Sequence, residues 1–148
     1  MLDDLDIKLL NILQVDGRTK RSSLAEAIGL SLPSLSERLR KLENKGVIEG
    51  YFTKLNKKIF GYDALAFITV VMDSSEESGS IRGLVDTTPQ IIECHSILGK
   101  GSFILKVVVK DTAALEELLG QIQAWPGVVR TNTSFVLSTL KETTKIEI

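Results

Sequence analysis

The sequence is poor in the residues that build most catalytic and metal centres. Among 148 residues it has one cysteine, one histidine and one tryptophan. Cys94 has no second cysteine with which to form a disulfide bond, and no cluster of Cys and His has zinc-ligand spacing. No Ser-His-Asp set and no phosphate-binding Gly-x-x-x-x-Gly-Lys loop can be assembled. These absences predict no catalytic residues, no metal site and no cofactor.

Long apolar stretches are also missing. No run reaches the roughly eighteen apolar residues of a transmembrane helix. The start of the sequence, MLDDLDIKLL, is acidic and unlike a secretory signal. Together with the lone cysteine, these features predict a cytoplasmic protein that has no membrane partner. The content of 43% apolar and 25% charged residues is typical of a globular chain.

Charge is divided unevenly along the chain, although the net charge is only −1. Residues 17–58 carry ten Lys and Arg against four Asp and Glu, whereas residues 59–148 carry seven against eleven. A basic segment beside an acidic one indicates that the first part binds a polyanion. The alternative is a chance clustering of surface charge, and the residue pattern has to decide between the two.

Two helices are predicted before residue 30. Apolar residues recur at three- and four-residue steps over residues 3–15, and aspartates crowd the first turn, where carboxylates favour the helix dipole. A second helix fits Ser22 or Ser23 to Ile28, with the serine as its N-cap. Gly29 ends this second helix, so that a tight turn leads into a third.

The third helix carries the functional interpretation. Pro33 suits its first turn, and leucines at i, i+4 and i+7 bury one side. Serines near its start and cations along its other side and flank fit the major groove of double-stranded DNA, where they contact base edges and phosphates. The alternative is an ordinary solvated helix face. The DNA-binding residues predicted on this helix and its cap are Ser31, Ser34, Ser36, Arg38, Arg40 and Lys41.

Basic residues on either side of this pair of helices are expected to contact phosphates. Arg18, Lys20 and Arg21 precede the second helix. A β-prone run at residues 47–53 predicts a short strand or hairpin, the wing of a winged helix-turn-helix, and three lysines follow it. Phosphate contacts set affinity and salt dependence rather than sequence choice. Residues 1–60 are therefore predicted to form a winged helix-turn-helix DNA-binding domain.

The remaining residues predict four strands and two helices. The β-strands are expected at residues 64–72, 91–98, 102–110 and 128–140, and the helices at residues 76–87 and from Asp111 or Thr112 to Ala124. The order βαββαβ implies an antiparallel four-stranded sheet with both helices on one face, a ferredoxin-like domain over residues 61–148. The predicted fold class of the whole chain is therefore α+β.

Such a sheet has one face without helices. If this open face carries Phe67, Val71, Phe103 or Phe135, it needs a partner to cover it. A homodimer is the minimal arrangement that provides one.

Over essentially its whole length the sequence resembles the Lrp/AsnC family, the feast/famine regulators. The matching segments are LDDLDIKLLNILQVDGR at residues 2–18, LAEAIGLS at 24–31, RLRKLENKGVIEGY at 38–51, FGYDALAF at 60–67 and PGVVRTNTSFVLSTLKETT at 126–144. The resemblance implies a sequence-specific transcription regulator whose second domain binds an amino acid or a related small effector between subunits. It also implies a homodimer that assembles further, with an octamer as the expected product.

The family's ligand loop typically reads Gly-x-x-Asp-Tyr after the second strand, whereas this chain has Gly99-Lys100-Gly101-Ser102-Phe103. The acidic residue is replaced, but the two glycines still offer backbone N–H and C=O groups to an amino acid. Hydroxyls on the last strand resemble positions that complete the pocket, the alternative being ordinary strand side chains. The resemblance thus assigns effector binding to Leu98, Gly99, Lys100, Gly101, Ser102, Thr131, Thr133 and Ser134.

An enzyme is the second interpretation, because some relatives with this architecture decarboxylate sirohaem-type tetrapyrroles. Such chemistry is expected to use histidines, and the chain has only His95, which follows Cys94 in a predicted strand. Neighbouring strand residues point to opposite faces, so these two form neither a nucleophile–base pair nor a chelate. We expect His95 to be a structural or interface residue and the protein not to be an enzyme.

Overall fold

The structure, a computed structural model, describes residues 2–73 and 78–148. The chain divides into two compact units, each with its own core. The helical unit consists of Met1–Lys54 together with Lys141–Ile148, and the sheet unit is Leu55–Leu140. The sequence had suggested a single boundary after residue 60. None of the helices in the described residues is long and apolar enough to cross a membrane.

Three helices form the helical unit: α1 (Asp4–Val15), α2 (Arg21–Ile28) and α3 (Leu32–Asn44). Their facing leucines make one core, in which Leu9, Leu24 and Leu35 are almost fully buried. Burial of each such side chain stabilises the fold by about 1.5–3 kcal/mol. Gly29 ends α2 with a left-handed φ of 71°, a conformation that glycine adopts without strain. The predicted helix-turn-helix is confirmed.

Two local predictions in this unit are wrong. Helix α2 begins at Arg21, and its N-cap, Lys20, makes no side-chain hydrogen bond. A serine cap is not required, because the N–H groups of the first turn are exposed and can bond water. Within the described residues nothing pairs as a strand with residues 47–53, and an isolated strand leaves its backbone groups unpaired. Instead the Val47 N–H donates to the Leu42 carbonyl over 2.9 Å, which closes the end of α3.

The segment Lys141–Ile148 is held in the helical unit by the side chain of Gln14. The Gln14 Oε1 accepts the Ile146 N–H over 2.8 Å, and the Gln14 Nε2 donates to the Ile146 carbonyl over 3.1 Å. An ion pair of 2.6 Å between Lys54 Nζ and Glu142 Oε2 adds a second fastening. The end of the chain is therefore part of the unit that contains the helix-turn-helix.

The sheet unit has the predicted order βαββαβ. Its elements are β1 (Ala64–Met72), α4 (Ser78–Asp86), β2 (Ile91–Ser96), β3 (Phe103–Val109), α5 (Thr112–Gln123) and β4 (Val128–Phe135). All neighbouring strands are antiparallel, in the spatial order β2-β3-β1-β4. The predicted start of α4 at Glu76 lies outside the described residues. Strand β4 ends five residues earlier than predicted, because Phe135 already lies opposite Ala66, close to the first residue of β1.

Side-chain alternation divides the sheet into a covered face and an open face. The core packs on the covered face between β1, β3 and α5, and Val85 of α4 packs against the same core, so both helices lie on that face. Phe67 and Val71 alternate with the core residues and lie on the open face, as predicted. The other two candidates for this face, Phe103 and Phe135, do not lie on it. Phe103 packs against the core, and Phe135 lies opposite the core residue Ala66.

Replacing Gly101 by alanine should destabilise the sheet unit by about 1–3 kcal/mol, because its φ of 146° suits only glycine. A methyl group there would also collide with the side chain of Thr69. The matched control is Gly120→Ala on the exposed side of α5, where a methyl group meets no neighbour. This control should stabilise the protein by about 0.5–1 kcal/mol. Urea unfolding of both variants measures the difference, and equal effects would contradict the assigned strain.

Candidate nucleic-acid interface and effector loop

Helix α3 divides its side chains between the core and solvent. Leu35, Leu39 and Leu42 are at most 4% exposed. The opposite side is exposed along the whole length of the helix and forms a stripe, here called the α3 stripe, of Ser34, Glu37, Arg40, Lys41 and Asn44. A helix whose polar stripe is rigidly backed by a leucine core has the shape and stiffness that entry into a major groove requires.

The three serines predicted to bind DNA all make hydrogen bonds within the protein. Ser31 caps α3, with its Oγ accepting the Ser34 N–H over 3.3 Å, and the Ser31 hydroxyl donates to the Ser34 Oγ over 2.9 Å. Ser36 is half-buried and its Oγ accepts a long hydrogen bond of 3.4 Å from Arg21. Ser31 and Ser34 thus lie at the exposed N-terminal end of α3, and Ser36 lies beside α2.

Arg38 is not part of the α3 stripe. Its Nη1 lies 2.7 Å from Asp3 Oδ2 and 2.6 Å from Asp6 Oδ1, and only 24% of its side chain is exposed. The two carboxylates also bond each other's backbone N–H groups across the start of α1, over 2.8 and 3.0 Å. This capping box fixes both carboxylates in position, so the guanidinium fastens α3 to the first turn of α1.

Arg38, which the sequence predicts as a DNA contact, has structural partners in the first turn of α1. Its Nη1 bonds both carboxylates, and the guanidinium carries further N–H donors on Nη2 and Nε. The hydrogen bond from Arg38 is the main reason that the pKa of Asp3 lies below its ordinary value. The Asp3 carboxylate is therefore charged at neutral pH.

Arg40 and Lys41 share one carboxylate on the exposed side of α3. Glu37 accepts two hydrogen bonds from Arg40, from Nη2 over 2.8 Å and from Nε over 3.0 Å. Lys41 Nζ lies 3.7 Å from Glu37 Oε1. All three side chains are about half exposed or more, so solvent screens these pairs and a polyanion can compete for the cations.

The cations before and at the start of α2 are on the surface. Arg18, Lys20 and Arg21 are all exposed. The Arg18 backbone N–H donates to Asp16 Oδ1 over 2.8 Å, which shapes the turn but leaves the guanidinium outside it. Cations placed next to the N-terminal end of α2 are suited to a phosphate that also approaches the backbone N–H groups of that helix.

The loop between β2 and β3 folds over the end of β1. The Ser102 N–H donates to the Val70 carbonyl over 2.9 Å, and the Ser102 Oγ accepts the Met72 N–H over 3.1 Å. The Ser102 carbonyl accepts the Ile97 N–H over 3.1 Å. These bonds use the hydroxyl of Ser102 to hold the loop. The Gly101 N–H donates to the Gly99 carbonyl over 3.1 Å, which leaves the Gly99 N–H, the Gly101 carbonyl and the exposed Lys100 to face a ligand.

The three predicted hydroxyls of β4 do not converge on one site. Thr131 lies opposite Val70 and Thr133 opposite Ile68, on the covered face, whereas Ser134 lies opposite Phe67 on the open face. Of the three, only Thr131 lies at the end of the sheet where the β2–β3 loop is located. Its hydroxyl accepts a hydrogen bond of 3.1 Å from Gln123. It is two strand spacings, about 10 Å, from the loop.

The sheet unit also contains two grooves that the predicted effector residues do not line. One, of about 480 Å³, lies between residues 55–62, the ends of β2 and β3, and α5. The other, of about 590 Å³, lies between α4 and β2. Leu98 at the tip of the effector loop is fully exposed, so the loop by itself does not enclose a ligand.

His95 and Cys94 point to opposite sides of β2, as the alternation predicts. His95 Nε2 lies 3.4 Å from Glu93 Oε2, and Lys106 Nζ lies 2.8 Å from Glu93 Oε1, all on the open face. Cys94 packs against the core, and burial raises the pKa of its thiol above the ordinary value. The two side chains therefore form no joint reactive centre.

Sequence reasoning missed two partnerships that decide the charge of α3. The i,i+3 and i,i+4 spacings of Glu37 to Arg40 and Lys41 are a visible sign of ion pairs on a helix. The spacing of Asp3 and Asp6 is likewise that of a capping box. The contact of Arg38 with these two aspartates has no such sign, since 35 and 32 residues separate the partners.

Comparison with known families accounts for both units. A family model for winged helix-turn-helix DNA-binding domains matches residues 2–49. A second model, for the Lrp/AsnC ligand binding domain, matches residues 64–146. The two matches together leave only short segments of the chain uncovered.

Individual relatives match over almost the full length. The HTH-type transcriptional regulator FL11 of Pyrococcus horikoshii is 34% identical over 147 residues, covering 99% of this chain and 97% of the relative. A transcriptional regulator from Neisseria meningitidis, solved in complex with L-methionine, superposes with a TM-score of 0.94 at 28% identity, covering 99% and 97% of the two chains. A feast or famine regulatory protein from M. tuberculosis, also complexed with L-methionine, superposes at 0.92 with 31% identity and 99% coverage of both chains.

Replacing Asp3 by asparagine should make the stability of the protein less dependent on acid pH. Asparagine remains a good N-cap, so the change removes the charge that faces Arg38. Because folding lowers the pKa of Asp3, its contribution is present above the pKa of the unfolded chain. It is lost as the pH falls through the lowered folded value. Thermal unfolding at neutral pH and at about pH 2 should show a difference from the wild type that disappears in acid.

The matched control is Asp4→Asn, which removes an exposed carboxylate from the same first turn of α1. It should lower the thermal midpoint less than Asp3→Asn at neutral pH. Equal effects of the two variants would mean that general helix-dipole charge, rather than the contact with Arg38, is responsible.

Proposed function

The chain belongs to the Lrp/AsnC family of transcription regulators, and from that premise we propose which of its residues bind DNA and which bind an effector. The protein is a DNA-binding transcription regulator, as its relatives are. We assign DNA binding to residues 1–60 and effector binding and oligomerisation to residues 61–148, with the segment Lys141–Ile148 supporting the first. Its place of action is the cytoplasm, where the DNA is accessible.

The α3 stripe is the observation that carries the DNA-binding assignment. Three leucines hold one side of the helix in the core, so Ser34, Arg40 and Lys41 face outward together. Guanidinium groups bond guanine or phosphate, and short hydroxyls approach base edges at the helix start. Ser31 and Ser36 contribute at the edges of this surface, while Arg38 acts by orienting α3.

Arg18, Lys20 and Arg21 are assigned to phosphates. They are exposed and lie before or at the start of α2, the helix that crosses the backbone in a helix-turn-helix complex. Their contribution is to affinity and to its salt dependence, because a phosphate carries no base identity.

The effector site is assigned to the loop between β2 and β3, completed by a second subunit. The relatives that were solved with L-methionine support an amino-acid effector. Leu98 is fully exposed, and a pocket must cover most of its ligand, so a second chain is needed to close the site. Gly99 and Gly101 offer backbone groups, and Lys100 offers a cation to the ligand's carboxylate. Thr131 is nearer to this loop than Thr133 or Ser134.

The open face of the sheet is assigned to the homodimer. Phe67, Thr69 and Val71 on β1 are only half-buried there, with Ile104 and Val108 of β3 beside them. Covering such a patch is the usual reason for a stable association of β-sheets. Assembly of the dimers to an octamer is the further expectation from the family resemblance.

The alternative of a tetrapyrrole decarboxylase receives no support from the relatives, which are transcription regulators. His95 lies on the open face next to Glu93 and Lys106. Its place among charged neighbours fits a subunit interface better than a macrocycle site.

The double replacement Arg40→Ala and Lys41→Ala should abolish selective DNA binding. Fluorescence anisotropy would be measured on duplex DNA from upstream of the protein's own gene and on a scrambled duplex, at several salt concentrations. The wild type should prefer the upstream duplex by a factor of at least about a thousand. The variant should lose most of this preference, and its log–log salt slope should fall by about 2, one for each lost cation.

The control Arg82→Ala and Lys110→Ala removes the same two residue types from exposed positions of the sheet unit. It should keep both the preference and the salt slope, and all three proteins should have the same oligomer mass by light scattering. If the control lost as much preference and salt slope as the α3 variant, net charge would explain the effect. The assignment of α3 as the recognition helix would then be wrong.

Replacing Lys100 by alanine should weaken effector binding by about five- to tenfold, as expected for the loss of an exposed charge-assisted hydrogen bond. Isothermal titration with L-methionine, and with any other amino acid that raises the melting temperature, would measure the affinity. Lys110→Ala, an exposed lysine at the end of β3, is the control and should bind as the wild type does. If Lys100→Ala bound the amino acid with unchanged affinity, the assignment of the effector site to this loop would be wrong.

A further inference from the structure

One acidic side chain lies within the surface that the recognition cations occupy. Glu37 is in the middle of the α3 stripe, between Ser34 and Arg40, and 48% of its side chain is exposed. It holds Arg40 through two hydrogen bonds of 2.8 and 3.0 Å and lies 3.7 Å from Lys41. A carboxylate at the centre of a surface that meets a polyanion requires an explanation.

In the free protein Glu37 neutralises part of the α3 stripe. Arg40, its nearest partner, holds the pKa of the Glu37 carboxyl below its ordinary value, so the side chain stays charged at neutral pH. Because both ion pairs are exposed to solvent, they stabilise the helix only weakly. Their larger effect is on binding, since Arg40 and Lys41 must leave this carboxylate before they contact DNA fully.

On DNA the same carboxylate opposes phosphates and discriminates among base edges. Close to the backbone it is repelled, and a base that offers only acceptors in the major groove, such as guanine, leaves it unpaired. Cytosine presents the exocyclic N4 amino group, a donor that a glutamate can accept. A site that places cytosine opposite Glu37 therefore compensates the carboxylate. Guanine and thymine leave it a desolvated charge without a partner, and adenine sets the acceptor N7 beside its N6 donor.

We propose that Glu37 is the specificity-determining residue of α3. It requires cytosine at one position of each half-site and releases Arg40 and Lys41 onto guanine or phosphate only where that base is present. This inference rests on the proposed DNA-binding role of α3 and adds to it a base preference and a restraint on non-specific binding.

The test is selection of binding sites from a random pool of duplex DNA with the full-length protein. Wild type, Glu37→Gln and Glu26→Gln would be selected in parallel. The wild type should enrich half-sites with one fixed cytosine. In Glu37→Gln the preference at that position should move away from cytosine and toward adenine, whose N6 and N7 suit an amide. Glu26→Gln removes the same charge from an exposed position on α2 and should enrich the wild-type half-site.

Affinities on the enriched and on a scrambled duplex give the second readout. Glu37→Gln should bind the scrambled duplex about three- to tenfold more tightly, and its selectivity ratio should fall at least about fivefold. Retention of the wild-type base preference and ratio by Glu37→Gln would overturn the assignment of Glu37, even if its thermal midpoint shifts. If the wild type enriches no sequence, the proposed function of α3 fails, and this inference fails with it.

Discussion

Helix α3 has to satisfy two requirements with thirteen residues: it buries leucines in the core of the helical unit and presents polar side chains to a partner. Because Leu35, Leu39 and Leu42 occupy one side, the helical repeat places Ser34, Arg40 and Lys41 on the other. The orientation of the cations is thus a consequence of hydrophobic burial. The same periodicity is present in the sequence, which is why the exposed polar side of α3 could be predicted in outline.

Helical periodicity does not predict the contacts of residues on the flank of a helix. Arg38 is close to the boundary between the leucine side and the polar side, and periodicity does not tell which neighbour it meets. Its partners, Asp3 and Asp6, belong to α1, and only the packing of α1 against α3 brings them within 2.7 Å of the guanidinium. A charge count therefore overestimated the cations available to DNA, because it treats a paired arginine and an exposed one alike.

In the sheet unit the long elements follow from the sequence because each has a strong period or a strong composition. The nine residues of β1, eight of them apolar, were predicted at their observed limits. The residue at which a strand ends depends instead on the neighbouring strand with which it pairs. Strand β4 stops near the start of β1, and residues 47–53 have no partner strand among the described residues. The role of Ser102 was equally hidden, because its hydroxyl binds Met72, thirty residues earlier in the chain.

In the proposed mode of DNA binding, the charges of the helical unit separate affinity from selectivity. Arg18, Lys20 and Arg21 are exposed outside α3, and such cations attract any DNA through counterion release. Within α3, Arg40 and Lys41 face Glu37, so their release has a cost that only some sequences offset. A regulator has to reject a vast excess of non-specific sites, and stronger attraction alone raises its affinity for all of them. Under this proposal, the Glu37 carboxylate within the α3 stripe lowers the affinity for unmatched DNA more than the affinity for matched DNA. Selectivity requires this difference.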